Sequence, residues 1–141
     1  MKPSLSALQD SEKIHRTQLL AITKMQQLTI AEWQLLANLD QGYTTQEQLA
    51  SATELDTSTL SRQLKSLGNK EMIDKEATGR DHRQLIYSVT PAGNAALTAI
   101  NTAAEKLTEQ VFDKWTDEEK NLLQILLNRL ETSLSRLSQI E

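Results

Sequence analysis

The 141-residue sequence contains no cysteine. That removes a disulfide framework, thiolate metal sites and any sensor built on thiol oxidation. It has two prolines, Pro3 and Pro91, so no interior helix need be broken. Its four glycines, Gly42, Gly68, Gly79 and Gly93, fall near the expected ends of elements. Aromatic residues make up 4%, which leaves no stacking platform for single-stranded nucleic acid. No apolar run approaches the roughly 18 residues of a membrane span, and the N-terminus lacks the apolar core of a signal peptide. A cytoplasmic protein without a membrane partner is expected. A chain of this length buries roughly 68–70% of its unfolded surface, so it needs no metal or crosslink for stability.

Charge of one sign is also scarce in one place. The chain carries a net charge of −4, yet residues 57–90 hold six Lys/Arg against four Asp/Glu. Both flanking thirds are net negative. Such an asymmetry steers a polyanion to one face while the rest repels it.

Hydrophobic spacing predicts a mostly helical chain. Residues 4–27 read as a helix with Leu8, His15, Leu19 and Ile22 on one face. Thr29 and Glu32 form a capping box ahead of Ile30, Trp33, Leu36 and Leu39; Thr44 and Glu47 repeat it before Leu49. Asp56 is an N-cap for a helix bearing Leu60, Leu64 and Leu67, which Gly68 and Asn69 can end. The period then changes. "EMIDKEA" and "QLIYSVT" read as two strands around a polar, charged tip at Arg80, Asp81, His82 and Arg83. Thr90-Pro91 opens a helix with Leu97, Ile100, Ala104, Leu107 and Val111 in a stripe. Thr116 and Glu119 cap a last helix carrying Leu123, Leu127, Leu130, Leu134 and Leu137. Leu122, Ile125 and Leu126 widen that stripe beyond one contact, which suits either a second copy of the chain or a bundle with the first helix.

The three short helices between 30 and 70 fit a helix-turn-helix. Ala50 is the small residue at the crossing and Leu60 the apolar residue ten positions on. Glu54 stands where the turn usually has glycine. On the second helix, Ser58, Arg62, Lys65 and Asn69 lie opposite the leucines, flanked by Thr59, Ser61 and Ser66. That face has no carboxylate, and short hydroxyls with basic residues suit a helix entering a major groove.

"LTIAEWQLLANLDQG", "LASATELDTSTLSRQLKSL" and "GRDHRQLIYSVTPAGNAAL" resemble the MarR family of bacterial transcriptional regulators, over about Leu5 to Leu137. The most specific piece is the wing pattern of Asp81, Arg83, Tyr87, Val89, Thr90 and Gly93, with tyrosine at 87 in place of the common valine. A second departure is Glu71, where the family has a helix-ending glycine; Gly68 or Asn69 is expected to take the left-handed position instead.

The resemblance implies a mainly α fold with a small β-hairpin wing. It implies one domain over 1–141, with a winged helix-turn-helix at 29–90 and a helical dimerisation region at 1–28 and 91–141. The implied protein is a homodimeric repressor of a pseudo-palindromic double-stranded DNA operator. Ser58, Thr59, Ser61 and Arg62 match base-reading positions, with Lys65 beside them. Arg83 matches the minor-groove residue of the wing, oriented by Asp81, with Arg80 and His82 at the same tip. A small aromatic or anionic effector is implied in a cleft for which His15, Arg16, Met25 and Trp33 are candidates. From the stripe alone, His15 reads as a dimer contact and Met25 and Trp33 as core. No cofactor and no metal site is expected, because two histidines without cysteine make a poor ligand set. No enzyme is expected either: neither histidine sits in a catalytic triad or phosphate-loop context. The competing class is a winged helix that binds protein rather than DNA, which the acidic net charge permits but the lack of apolar anchors on 58–69 disfavours.

Overall fold

The structure is a computed structural model and describes residues 1–79 and 84–138. Its contacts gather into two units, Met1–Ala104 and Glu105–Glu141. The first unit holds α1 (Ser4–Lys24), α2 (Ile30–Asp40), α3 (Gln46–Thr53), α4 (Thr57–Asn69), β1 (Ile73–Thr78), β2 (Gln84–Val89) and the start of α5 (Pro91–Val111). The second holds the last turns of α5 and α6 (Asp117–Ser138).

Helical spacing of leucines builds the core of the first unit. Leu35, Leu36 and Leu39 of α2 meet Leu49 of α3, Leu60, Leu64 and Leu67 of α4, and Ala96, Leu97 and Ile100 of α5. Ile73 and Tyr87 add one buried side chain from each strand. Ala50 packs against this cluster, as a small residue at a helix crossing should. Truncating any one of these leucines costs about 2–5 kcal/mol, transfer and cavity together.

The strands pair antiparallel, Ile73 opposite Val89 and Lys75 opposite Tyr87. The hairpin is tied down at both sides of its base. Tyr87 N–H donates to the Thr44 carbonyl at 2.8 Å, and Thr90 N–H donates to the Met72 carbonyl at 3.0 Å. The Thr90 hydroxyl donates to the Glu71 carbonyl at 2.7 Å and accepts from Gly93 N–H at 3.0 Å, so this threonine both caps α5 and grips the hairpin. Gly93 lies so close to the Met72 carbonyl and Val89 that a Cβ there has no room.

Three boundaries differ from the sequence reading. The second capping box sits one residue later: Thr45 is the N-cap, its hydroxyl accepting from Gln48 N–H at 3.1 Å while the Gln48 side chain accepts from Thr45 N–H. Thr44 is unavailable because its carbonyl belongs to the hairpin. The helix α4 runs through Gly68 and Asn69, and Glu71 itself is left-handed at φ 61°. Met72 N–H returns to the Leu67 carbonyl and Glu71 N–H to the Gly68 carbonyl, a Schellman closure with glutamate where glycine is favoured. Finally, α1 stops at Lys24 by the same device around Gln27 (φ 60°), which turns Met25 outward. Met25 is 81% exposed, so the expectation of a core methionine fails.

In the second unit, Phe112 and Trp115 meet edge to face in the turn between the helices, with ring centroids 5.0 Å apart. Thr116 caps α6 as expected, its hydroxyl accepting from Glu119 N–H at 3.1 Å and its own N–H donating to the Glu119 carboxylate at 2.9 Å. No residue of α6 is buried. Leu122, Ile125, Leu126, Leu127, Leu134 and Leu137 are all exposed.

Candidate nucleic-acid interface

The α3–α4 pair is closed by Glu54, which ends α3 in the left-handed conformation at φ 59°. It makes the turn that glycine makes without steric cost, and accepts the strain of a Cβ there. Two residues later Asp56 starts α4. Its Oδ1 accepts from Thr59 N–H at 2.7 Å and from the Ser58 hydroxyl at 2.9 Å. The Thr59 backbone N–H, then the Thr59 and Ser58 side chains, hold the Asp56 carboxyl below its ordinary value; the Arg62 charge adds to this.

With Leu60, Leu64 and Leu67 turned inward, Ser58, Ser61, Arg62, Lys65 and Asn69 are exposed and Thr59 is half-buried. The exposed face is free of carboxylates, as the sequence implied. Its side chains are also partly ordered by one another. Arg62 Nη2 reaches Thr59 Oγ1 at 3.4 Å, and Gln46 Nε2, from the first turn of α3, donates to Ser61 Oγ at 2.8 Å. The wing residues Arg80, Asp81, His82 and Arg83 lie outside the described residues.

Ser66 belongs to a different set of contacts. Glu32 is 3% exposed, and its carboxylate accepts from the Ser66 hydroxyl at 2.7 Å, Lys70 Nζ at 2.8 Å and Thr29 N–H at 2.9 Å. Lys70 Nζ also donates to the Gln27 carbonyl at 2.8 Å. Burial pushes the Glu32 pKa up. The bonds from Lys70, Ser66 and Thr29, with the Lys70 charge, outweigh it and leave the carboxyl below its ordinary value. One carboxylate thus caps α2 and holds the C-terminal half of α4 to it. Neither Glu32 nor Gln46 was identified from the sequence as supporting the site. Their partners lie 38 and 15 residues away, and only the fold brings them together.

The four effector candidates are dispersed in their bonding. Arg16 is engaged with Glu12 by an ion pair at 2.7 Å, and Trp33 Nε1 donates to Asn101 at 3.1 Å. Trp33 is half-buried against the core, while His15 and Met25 are exposed. Among the described residues, no group of His, Asp and Glu could hold a metal ion.

Comparison with known proteins places this geometry. A model of the MarR family matches residues 26–84. The chain is 34% identical over 97 residues to YxaD of Bacillus subtilis, an uncharacterized HTH-type transcriptional regulator, covering 68% of each sequence. Among solved structures, it resembles the S. aureus MepR–DNA complex at a TM-score of 0.76 and 17% identity, over 94% of this chain and 96% of that one. It also resembles apo wild-type MarR from E. coli, at a TM-score of 0.73 and 18% identity, over 92% and 98% of the two chains. At these identities the solved structures establish the fold.

Proposed function

The chain belongs to the MarR family of transcriptional regulators, and from that premise we propose that it is a homodimeric repressor that reads a pseudo-palindromic double-stranded DNA operator. The observation that carries this reading is the exposed face of α4. Ser58, Ser61, Arg62 and Lys65 stand clear of the protein on a helix whose other side is locked into the core. Hydroxyls and a guanidinium at that spacing recognise base edges and phosphates, and α4 itself adds no carboxylate among them. MepR, of the same fold, has been crystallised with DNA. In this reading Arg83 of the wing, held by Asp81 and flanked by Arg80 and His82, enters the neighbouring minor groove.

The dimer rests on α6 and α1. Six large apolar side chains exposed on α6, with Leu5, Ile14 and Leu20 exposed on α1, exceed what an isolated chain leaves in water. Residues 1–28 and 91–141 supply the shared helical region and 29–90 the DNA-binding winged helix. In this reading the protein works in the cytoplasm; among the described residues no helix is long and apolar enough to cross a membrane. Release by a small aromatic or anionic effector, contacting His15, Arg16, Met25 and Trp33, completes the proposal.

Selection of bound duplexes from a randomised pool tests it. Two inverted half-sites centred about one helical turn apart are expected. Enrichment of no sequence, with no shift of random duplex at low salt, overturns it in favour of a protein-binding winged helix.

A further inference from the structure

The hydroxyl groups of α4 are not free rotors. Serine can donate one hydrogen or accept, and by itself reads either kind of base edge. Here Ser58 has already placed its only hydrogen on Asp56 Oδ1 at 2.9 Å. A carboxylate accepts and never donates, so the direction of that bond is fixed. It is charge-assisted, roughly twice as strong as a neutral bond. Withdrawing the hydrogen toward a base would leave the carboxylate with one partner fewer. Ser58 is exposed, and both lone pairs of its oxygen remain available to a ligand. Ser61 differs: its oxygen accepts from Gln46 Nε2 at 2.8 Å, which leaves one lone pair and the hydrogen, so it can still read either kind of edge.

Resting on the DNA-binding reading above, we propose that Asp56 sets the hydrogen-bond polarity of Ser58 on the recognition helix before DNA arrives. Ser58 is an acceptor and selects a base with an exocyclic amine, adenine N6 or cytosine N4. Ser61 keeps both its hydrogen and a lone pair, and so imposes no such choice. Asp56 thereby acts as a positioning residue that determines specificity without itself touching a base. The Asp56 charge reinforces the choice, because it attracts an amine and repels the keto oxygens of guanine and thymine. Thr59 N–H, which shares the same Oδ1, keeps that charge in place.

The test compares selections from one randomised duplex pool by the wild-type protein, Ser58→Ala, Asp56→Asn and Asp56→Gly. The wild type should enrich adenine or cytosine over guanine or thymine at one position per half-site. Ser58→Ala should lose that preference by about three- to ten-fold, the worth of one hydrogen bond, and keep the others. Asp56→Asn keeps an acceptor oxygen and removes the charge; it should retain the amino preference. Asp56→Gly remains a tolerated start for a helix but frees the hydroxyl, so keto bases should become as acceptable as amino bases. A guanine or thymine preference at the Ser58-dependent position overturns the inference while leaving DNA binding intact. So does an unchanged profile for Ser58→Ala, or an amino preference that survives Asp56→Gly. The wild-type and Ser58→Ala selections decide the matter even where Asp56→Gly does not fold. Enrichment of nothing by the wild type overturns the DNA-binding reading and this inference with it.

Discussion

Replacing Lys70 by methionine isolates the ion pair that fastens α4 to α2. Methionine keeps the apolar stem and removes the ammonium. Glu32 is then left with the Ser66 hydroxyl and Thr29 N–H in a place that is 3% exposed. Breaking one side of a fully buried pair costs about 3–5 kcal/mol. The Lys70 side chain is 33% exposed, so water fills part of the vacated space; a loss of about 2–3 kcal/mol at neutral pH follows. For a chain of this size that lowers the melting temperature by about 6–10 °C, at fixed protein concentration if the protein is a dimer. The pH dependence is the sharper criterion. In the wild type the Glu32 pKa is below its ordinary 4.5. Its stabilisation is therefore complete above the unfolded value and lost as pH falls through the folded one. Without Lys70, two of the influences that lower the Glu32 pKa are gone, and its folded pKa rises above that of the wild type. The variant's native state then takes up its proton at a higher pH than the wild type's, and the penalty shrinks as pH falls. The gap between the two proteins should be widest at neutral pH and narrow toward about pH 4. Urea unfolding at several pH values measures it. A gap that stays constant, or one that widens in acid, would refute the assignment of Lys70 as the counter-charge of a buried carboxylate.

Four further outcomes are expected. Glu71→Gly should stabilise the protein by about 0.5–1 kcal/mol, because relief of a left-handed Cβ exceeds the extra chain entropy of glycine; denaturant midpoints at constant slope report it. Gly93→Ala should cost at least about 2 kcal/mol, since its Cβ meets the Met72 carbonyl and Val89, neither of which can retreat without opening the hairpin base; a melting temperature within a degree or so of wild type would contradict the contact. Arg62→Ala should fold normally and lose roughly 1–3 kcal/mol of specific binding per half-site if Arg62 takes a guanine. Titration of operator DNA at several salt concentrations should then show a wild-type affinity that falls by about 10³–10⁵ between 50 and 200 mM salt.

Features written within a few residues were legible. The boxes at Thr29–Glu32 and Thr116–Glu119, the Asp56 cap and the leucine phase of α4 all stand where local spacing put them. The box at 44–47 slipped by one because Thr44 and Thr45 each have a glutamate or glutamine three residues on. What separates them is the bond from Tyr87 to the Thr44 carbonyl, contributed by a strand more than 40 residues later. Glu71 departs from the local signal for the same kind of reason. Gly68 and Asn69 are better left-handed residues, but Ser66 and Lys70 are held to Glu32, and the helix persists until that pair is made. Met25 keeps helical φ and ψ just past Lys24, yet it is 81% exposed, and no local signal in the sequence marks that. The carboxylate-free face of α4 could be read from the sequence. The bonds that orient Ser58 and Ser61 could not, because they depend on side-chain rotamers and on where α3 begins.

Thr90 and Gly93 bind the root of the hairpin to the first turn of α5 with two hydrogen bonds to consecutive carbonyls and a contact that admits no added atom. The position of the hairpin is consequently set at its root. Its placement is fixed from two directions, by α5 at Thr90 and Gly93 and by the Thr44 carbonyl at Tyr87, so β1 and β2 are held as a pair against both. A substitution at residue 93 is therefore felt by both strands at once, because the Met72 carbonyl and Val89 that it meets belong to the two sides of the hairpin base.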